Sequence, residues 1–294
     1  MPPILSHILA VLFPLFAISA IGYISGRRLR PDLTAANRLN MDVFTPALVF
    51  SVLAGRNFHM HGFAALAVDT FLVIAGCGVA AWLIARLLRM DPRTLVPPMM
   101  FNNCGNLGLP VAMLAFGQGA LGAAVITFLV SNTLQFSFGT WLLDRQARFA
   151  AIWRSPSIQA GAAGLAVAFS GIHLWPPLLV SAKMLGDISI PLMLFALGAR
   201  MAEARLRAVG VGVFGAVLRP ALGMGLAWAV LALIPLPPQQ RALLLIFGAL
   251  PPAVLNYIFA ERYNQEPEKV ASMVLIGNMA GLVFLPIALA LTLK

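Results

Sequence analysis

Charge is scarce in this chain. Asp, Glu, Lys and Arg make up 10% of its 294 residues, where a soluble domain carries roughly 25%, so an ordinary water-exposed surface cannot be built from it. Acid is scarcer than base, with ten Asp and Glu against twenty Lys and Arg. There are only two cysteines, Cys77 and Cys104, both inside apolar stretches and far from a CxxC spacing. That excludes a disulfide framework and a thiolate metal site. There is no Walker phosphate loop, no GxSxG and no HExxH, so nothing supports ATP-driven pumping, hydrolysis or a bound metal or cofactor. No connection between apolar stretches is long enough for a soluble domain, which leaves few places for a conventional enzyme site.

What the chain has instead is apolar sequence. Sixty per cent of it is hydrophobic and the mean hydropathy is +0.89. A bilayer-spanning helix needs about 20 mostly apolar residues. Such stretches fall at 4–25, 36–54, 62–88, 95–116, 120–143, 156–173, 177–200, 208–234, 240–260 and 269–293. Barrel strands are excluded, because they are about 10 residues of alternating polarity. The expected class is an all-α integral membrane protein of ten transmembrane helices, the first a retained span rather than a cleaved signal. The basic residues sit between the spans and mark topology rather than nucleic-acid binding. Fifteen of the twenty lie in the odd-numbered connections, from Arg27, Arg28 and Arg30 to Arg262 and Lys269; Arg56, Arg241 and Lys294 lie on the other side. Basic loops stay cytoplasmic, so both termini are expected on the outer face. His7, His59, His61 and His173 then fall near that face as interfacial polar residues.

The chain also resembles itself. Arg38-x3-Asp42-x3-Pro46-x3-Phe50 recurs 145 residues later as Lys183-x3-Asp187-x3-Pro191-x3-Phe195. The fifth and tenth spans align at 146 through Asn132 and Asn278, and the fourth and ninth at 146 through Phe101 and Phe247. This divides the chain into two five-span halves, 1–145 and 150–294. An odd number of crossings makes the second half enter from the opposite side. The expectation is a 5+5 inverted-topology repeat, the architecture many secondary transporters use for alternating access.

The strongest local signal is Pro97-Pro-Met-Met-Phe-Asn-Asn-Cys-Gly-Asn-Leu-Gly-Leu-Pro110 in the fourth span. Proline removes a backbone donor and glycine loosens a helix. Freed backbone groups survive at that depth only where protein buries them or a wet cavity receives them. Asn102, Asn103 and Asn106, with Gly105, Gly108 and Pro110, suit such a cavity. The ninth span carries the partner interruption, Gly248-Ala-Leu-Pro251-Pro252-Ala-Val-Leu-Asn256. Paired interruptions at corresponding positions of two halves point to the binding site of a transporter.

The run Asn103-x2-Asn-x2-Gly-x-Pro110, the Pro-Pro-x3-Asn break and the five-plus-five spans together resemble the auxin efflux carrier family, which includes plant auxin exporters and bacterial permeases for malate or malonate. The plant exporters have a long loop between the fifth and sixth spans; here that connection is only Asp144 to Ser155. The resemblance implies a fold similar to sodium/proton antiporters and bile-acid symporters, in a bacterial inner (plasma) membrane. The broken fourth and ninth spans would cross at mid-membrane within a mobile core of 62–143 and 208–293. Spans within 4–54 and 156–200 would form a scaffold, commonly a homodimer interface. The crossover residues, joined by Asn132 and Asn278, would bind a small organic anion.

Elementary electrostatics agrees with an anion, since half-helix N-termini at a crossing each carry roughly +0.5 charge and free N–H donors. Four ionisable residues inside spans are candidates for ion or proton coupling. Asp69 and Arg219 occupy the same relative span of each half and could pair across the core; Asp42 and Asp187 each have a base four residues earlier. The expected function is a secondary carrier or facilitator of a carboxylate. The competing readings are a channel or membrane sensor, and a cation/proton antiporter of similar fold. The antiporter would want a carboxylate at the crossover, and 97–110 and 248–256 contain none.

Overall fold

The structure is a computed structural model that describes residues 3–55, 62–145, 153–203 and 207–292. His59, His61 and Lys294 lie outside the described residues. All regular structure there is helical: α1 (Pro3–Arg28), α2 (Thr34–Leu39), α3 (Thr45–Leu53), α4 (Ala64–Leu87), α5 (Pro92–Met100), α6 (Leu109–Phe116), α7 (Leu121–Leu134), α8 (Thr140–Leu143), α9 (Pro156–Ser170), α10 (Pro176–Glu203), α11 (Val209–Leu233), α12 (Pro238–Ala249), α13 (Val254–Arg262) and α14 (Pro267–Thr292). Among the described residues, six helical stretches are long and apolar enough to cross a membrane: 5–28, 64–87, 118–143, 176–202, 209–233 and 267–292. The other four expected spans are shorter or interrupted. The second is α2 and α3 joined by a π-helical turn, Asn40–Phe44, and the sixth is the 15-residue α9. The fourth and ninth break in the middle.

Proline and asparagine divide the labour of breaking differently from the sequence expectation. Pro97 and Pro98 are absorbed within α5, which runs on to Met100. The chain leaves the helix only at Phe101, with ψ 109°. Pro110 does not interrupt anything; it is the second residue of α6, where a missing N–H costs little. In the ninth span the prolines do act as breakers. Leu250, before Pro251, has ψ 141°, the extended conformation that a following proline enforces.

Long apolar helices have no water to drive them together inside a bilayer, so small residues that let backbones touch become the adhesive. At the α1–α10 contact, a Cβ added at Gly198 would stand 1.8 Å from the Ser19 carbonyl oxygen, and one at Gly22 2.1 Å from that of Phe195. Ser19 Oγ also donates to the Leu194 carbonyl at 3.2 Å. Thr45 and Ser189 share a buried hydroxyl bond of 2.9 Å between α3 and α10, which extends the same body. On the other side of the molecule α11 touches α12 backbone to backbone, where a Cβ at Gly223 would lie 2.1 Å from the Gly248 carbonyl oxygen. Overpacking typically costs about 1–3 kcal/mol. Gly198→Ala meets unyielding backbone and is expected to cost about 3 kcal/mol of stability. Gly210→Ala, with nothing within 4 Å of the added carbon, is the neutral control. Thermal unfolding of the two purified variants checks the difference.

Candidate functional site

The two interrupted spans meet at their breaks. Asn102 and Pro252 form an antiparallel bridge, flanked by Asn103 N–H donating to the Pro251 carbonyl at 2.8 Å and Ala253 N–H donating to the Phe101 carbonyl at 3.0 Å. Two strands of three residues thus satisfy each other's backbone where no helix can. Side chains complete the junction. Asn102 Nδ2 donates to the Phe247 carbonyl at 2.6 Å, and Asn103 Nδ2 to Asn278 Oδ1 at 2.8 Å. Asn256 Nδ2 donates to the Phe101 carbonyl at 2.8 Å while its Oδ1 accepts from Gln135 Nε2 at 2.9 Å. Asn278 Nδ2 reaches the carbonyls of Pro252 and Val274 at 3.1 and 2.7 Å.

Beyond the junction both segments turn helical again, and both starts face one cavity of about 750 Å³. Leu107 is the first residue of the restart to donate back, to the Asn103 carbonyl. Cys104, Gly105 and Asn106 thus form the first turn of the restart, whose N–H groups have no backbone carbonyl behind them, and all three residues line the cavity. Val254 and Leu255, in the first turn of α13, line it too. Three π-helical turns converge on this space: Asn40–Phe44, Cys104–Gly108 and Gln135–Gly139. Such turns interrupt the regular helix ladder and concentrate at functional sites. A second cavity of about 860 Å³ adjoins the first, sharing Asn37, Leu197, Arg200, Val254 and Ile258 with it, and Asn278 lines it.

Several sequence candidates meet here and several do not. Asn102, Asn103, Gly105, Asn106, Asn132 and Asp42 line the first cavity. Asn256, Pro251, Pro252, Gly108 and Pro110 line neither cavity; Asn256 is committed to the junction, as its two bonds show. Phe101 and Phe247 are not equivalent: Phe101 is in the break, whereas Phe247 is still inside α12. Gln135 and Asn40, both buried and cavity-lining, were not anticipated. Asn40 is three residues after Asn37, a polar i, i+3 pair in an apolar span that could have drawn notice.

The ionisable candidates separate. Asp42 and Asp187 pair with Arg38 and Lys183 at 3.5 and 2.7 Å, on exposed side chains, the i, i+4 arrangement the sequence suggested. Asp69 and Arg219 are both fully buried yet form no ion pair, and neither oxygen of Asp69 has a hydrogen-bond partner. The reason is the run of the helices. Gln240, in the first turn of α12 after α11, donates to the Gly62 carbonyl before α4, so α4 and α11 are antiparallel, with Gly76 against Leu226. Asp69 and Arg219 each precede that contact by seven residues, which places them on opposite sides of it.

A polar cluster outside the spans secures α5 to the turn before α14. Thr94 donates to Glu266 at 2.6 Å, Gln265 to Asp91 at 2.9 Å, and Lys269 pairs with Glu266. The Lys269 ammonium and the Thr94 hydroxyl hold the Glu266 carboxyl below its ordinary range.

A family model described as membrane transport protein matches residues 7–163 and 154–289. The chain belongs to this family, that of the auxin efflux carriers. It is also 24% identical over 234 residues to an uncharacterised transporter of Methanocaldococcus jannaschii, covering 73% of this chain and 74% of that one. The protein is therefore a multi-pass membrane transporter, and its relatives are transporters rather than enzymes.

Proposed function

We propose that the chain is a secondary carrier or facilitator of a small organic anion, a carboxylate, working by alternating access at the crossing of the two broken spans. The observation that carries this reading is that two helix starts and a row of asparagine amides open on one cavity whose charged lining is three arginines, Arg154, Arg200 and Arg262, against two acids, Asp144 and the Arg38-paired Asp42. Helix starts favour negative charge by roughly 0.3–1 kcal/mol each when exposed, and more when desolvated. Amides donate to an anion without the cost of a buried cation.

In this reading the four interrupted or short segments also cross, giving ten crossings in two inverted halves, 1–145 and 150–294. The core of 62–143 and 208–293 moves against the scaffold of 4–54 and 156–200 in an elevator-like stroke. The glycine-sealed contacts support two stiff bodies: α1 with α10 in one, α11 with α12 in the other. The cavity is lined by α10 of the first body and, opposite it in this reading, by α7 and α13 of the core. Its mouth carries Asp144, Arg154, Arg200 and Arg262, residues at the connections that the charge bias assigns to the cytoplasm. The state described is then inward-facing, with both termini outside.

The test is counterflow. Purified protein is first screened for thermal stabilisation by mono- and dicarboxylates, then reconstituted into vesicles with the best of them. A carrier takes up labelled anion faster when unlabelled anion is loaded on the far side. Flux without such trans-stimulation would support a channel, and no response to any carboxylate would overturn the anion reading.

A further inference from the structure

Arg219 is the largest fully buried side chain in the described protein, and no acid answers its charge. Nη1 donates to the Gly248 carbonyl at 3.2 Å, while Nε and Nη2 have no hydrogen-bond partner. A guanidinium in this position is costly, because burial removes its hydration and one neutral carbonyl returns little. The surrounding backbone is nevertheless shaped to admit it. A Cβ at Gly223 would stand 2.1 Å from Nη1 and 2.1 Å from the Gly248 oxygen, so glycine there makes room for both partners.

Position gives the cost a purpose. Gly248 and Phe247 are consecutive carbonyls in the last turn of α12, the negative end of that helix. One receives Arg219 and the other receives Asn102 Nδ2. Asn102 in turn lines the cavity. The cation thus sits one residue behind the cavity wall and cancels the helix end that would otherwise repel an anion. The two helix starts at the same crossing are left uncancelled.

We infer that Arg219 is the resident counter-charge of the carried anion, a positioning residue that acts through the α12 terminus and across space rather than by touching the substrate. This rests on the anion reading of the crossing and adds to it the source of the site's positive potential. A structural guanidinium would be expected to fill its donor sites; two of the three nitrogens here do not.

The potential can be read without any substrate. A cysteine is placed in the cavity as Asn106→Cys, with Cys77 and Cys104 replaced by alanine. Its modification rates by an anionic methanethiosulfonate (sulfonatoethyl) and a cationic one (trimethylammonioethyl) are compared. With Arg219 present the anionic reagent is favoured relative to a control in an exposed connection, Gln118→Cys. Arg219→Gln lowers the anionic-to-cationic ratio at Asn106→Cys by roughly tenfold, the scale of one unit charge acting over a partly desolvated distance. Arg219→Lys keeps the ratio. An unchanged ratio in Arg219→Gln overturns the inference. Should that variant fail to fold, the ratio with Arg219 intact still decides, because a cavity thiol that prefers the cationic reagent also overturns it. The carboxylate reading fails separately, by the absence of stabilisation in the screen.

Discussion

Asn256→Ala is expected to lose about 2–4 kcal/mol of folding stability, and to lose transport through that loss rather than through missing substrate contact. The amide is 2% exposed and holds two buried partners, the Phe101 carbonyl and the Gln135 amide. Leaving a buried polar group unmet costs about 1–3 kcal/mol, and here the Gln135 donor loses its acceptor while Phe101 keeps only the Ala253 N–H. Gln135→Ala alone strands Asn256 Oδ1 in the same way. The two substitutions share one bond, so the double variant should cost less than the sum of the singles. Equilibrium unfolding of the four proteins measures this. An Asn256→Ala protein of unchanged stability but weakened anion affinity would show that the residue meets the substrate, and that its place in the junction is incidental.

The place of Asn256 in the junction shows what one-dimensional reading supplies and what it lacks. The positions of the six long apolar helices were legible because a bilayer demands uninterrupted apolar length, and the chain can meet that demand only locally. The two breaks were legible for a similar reason: Pro251-Pro252 and the Asn102–Asn106 run cannot continue a helix quietly. What the run could not disclose was division of labour among its polar residues. Asn103, Asn106 and Asn256 look alike in sequence. Yet Asn106 faces the cavity, Asn256 seals the junction, and Asn103 does some of each. That sorting is decided by partners 121 to 175 residues away, Gln135 for Asn256 and Asn278 for Asn103. The same holds for Asp69 and Arg219. Their matched positions in the two halves suggested a pair, but antiparallel packing of α4 on α11 carries equal offsets in opposite directions. The π-helical turns were invisible for a different reason. Each adds one residue to a helical turn without changing composition or polarity, so nothing in Asn40–Phe44 or Gln135–Gly139 distinguishes them from an ordinary amphipathic stretch. Gln135 thereby escaped notice even though it both lines the cavity and anchors Asn256.

Asn106→Asp should separate an anion carrier from a cation carrier in one substitution. Asn106 is half-buried, lines the cavity and lies in the first turn of the restarted helix. Aspartate is nearly the same shape, and negative charge in a first helical turn contributes about 0.3–1 kcal/mol of stability. The fold should therefore hold, with a thermal midpoint at or slightly above the parent's. Binding should not hold. Two like charges about 4 Å apart repel by about 4 kcal/mol at an effective dielectric of 20, close to a thousandfold in affinity for a carboxylate seated at the helix starts. Asn106→Ala supplies the comparison. It removes an amide without adding charge, and a lost hydrogen bond to a charged group is worth about 1.5–3 kcal/mol, so its defect should be the smaller of the two. The substitution also gives the crossover the carboxylate that an antiporter of similar fold would want. Under the anion reading it abolishes uptake without conferring a response to sodium or to a proton gradient. An Asn106→Asp protein that carries carboxylates at wild-type affinity would place the anion away from these helix starts. One that gains cation-dependent flux would show that the crossing was poised for cations, with only its acid missing.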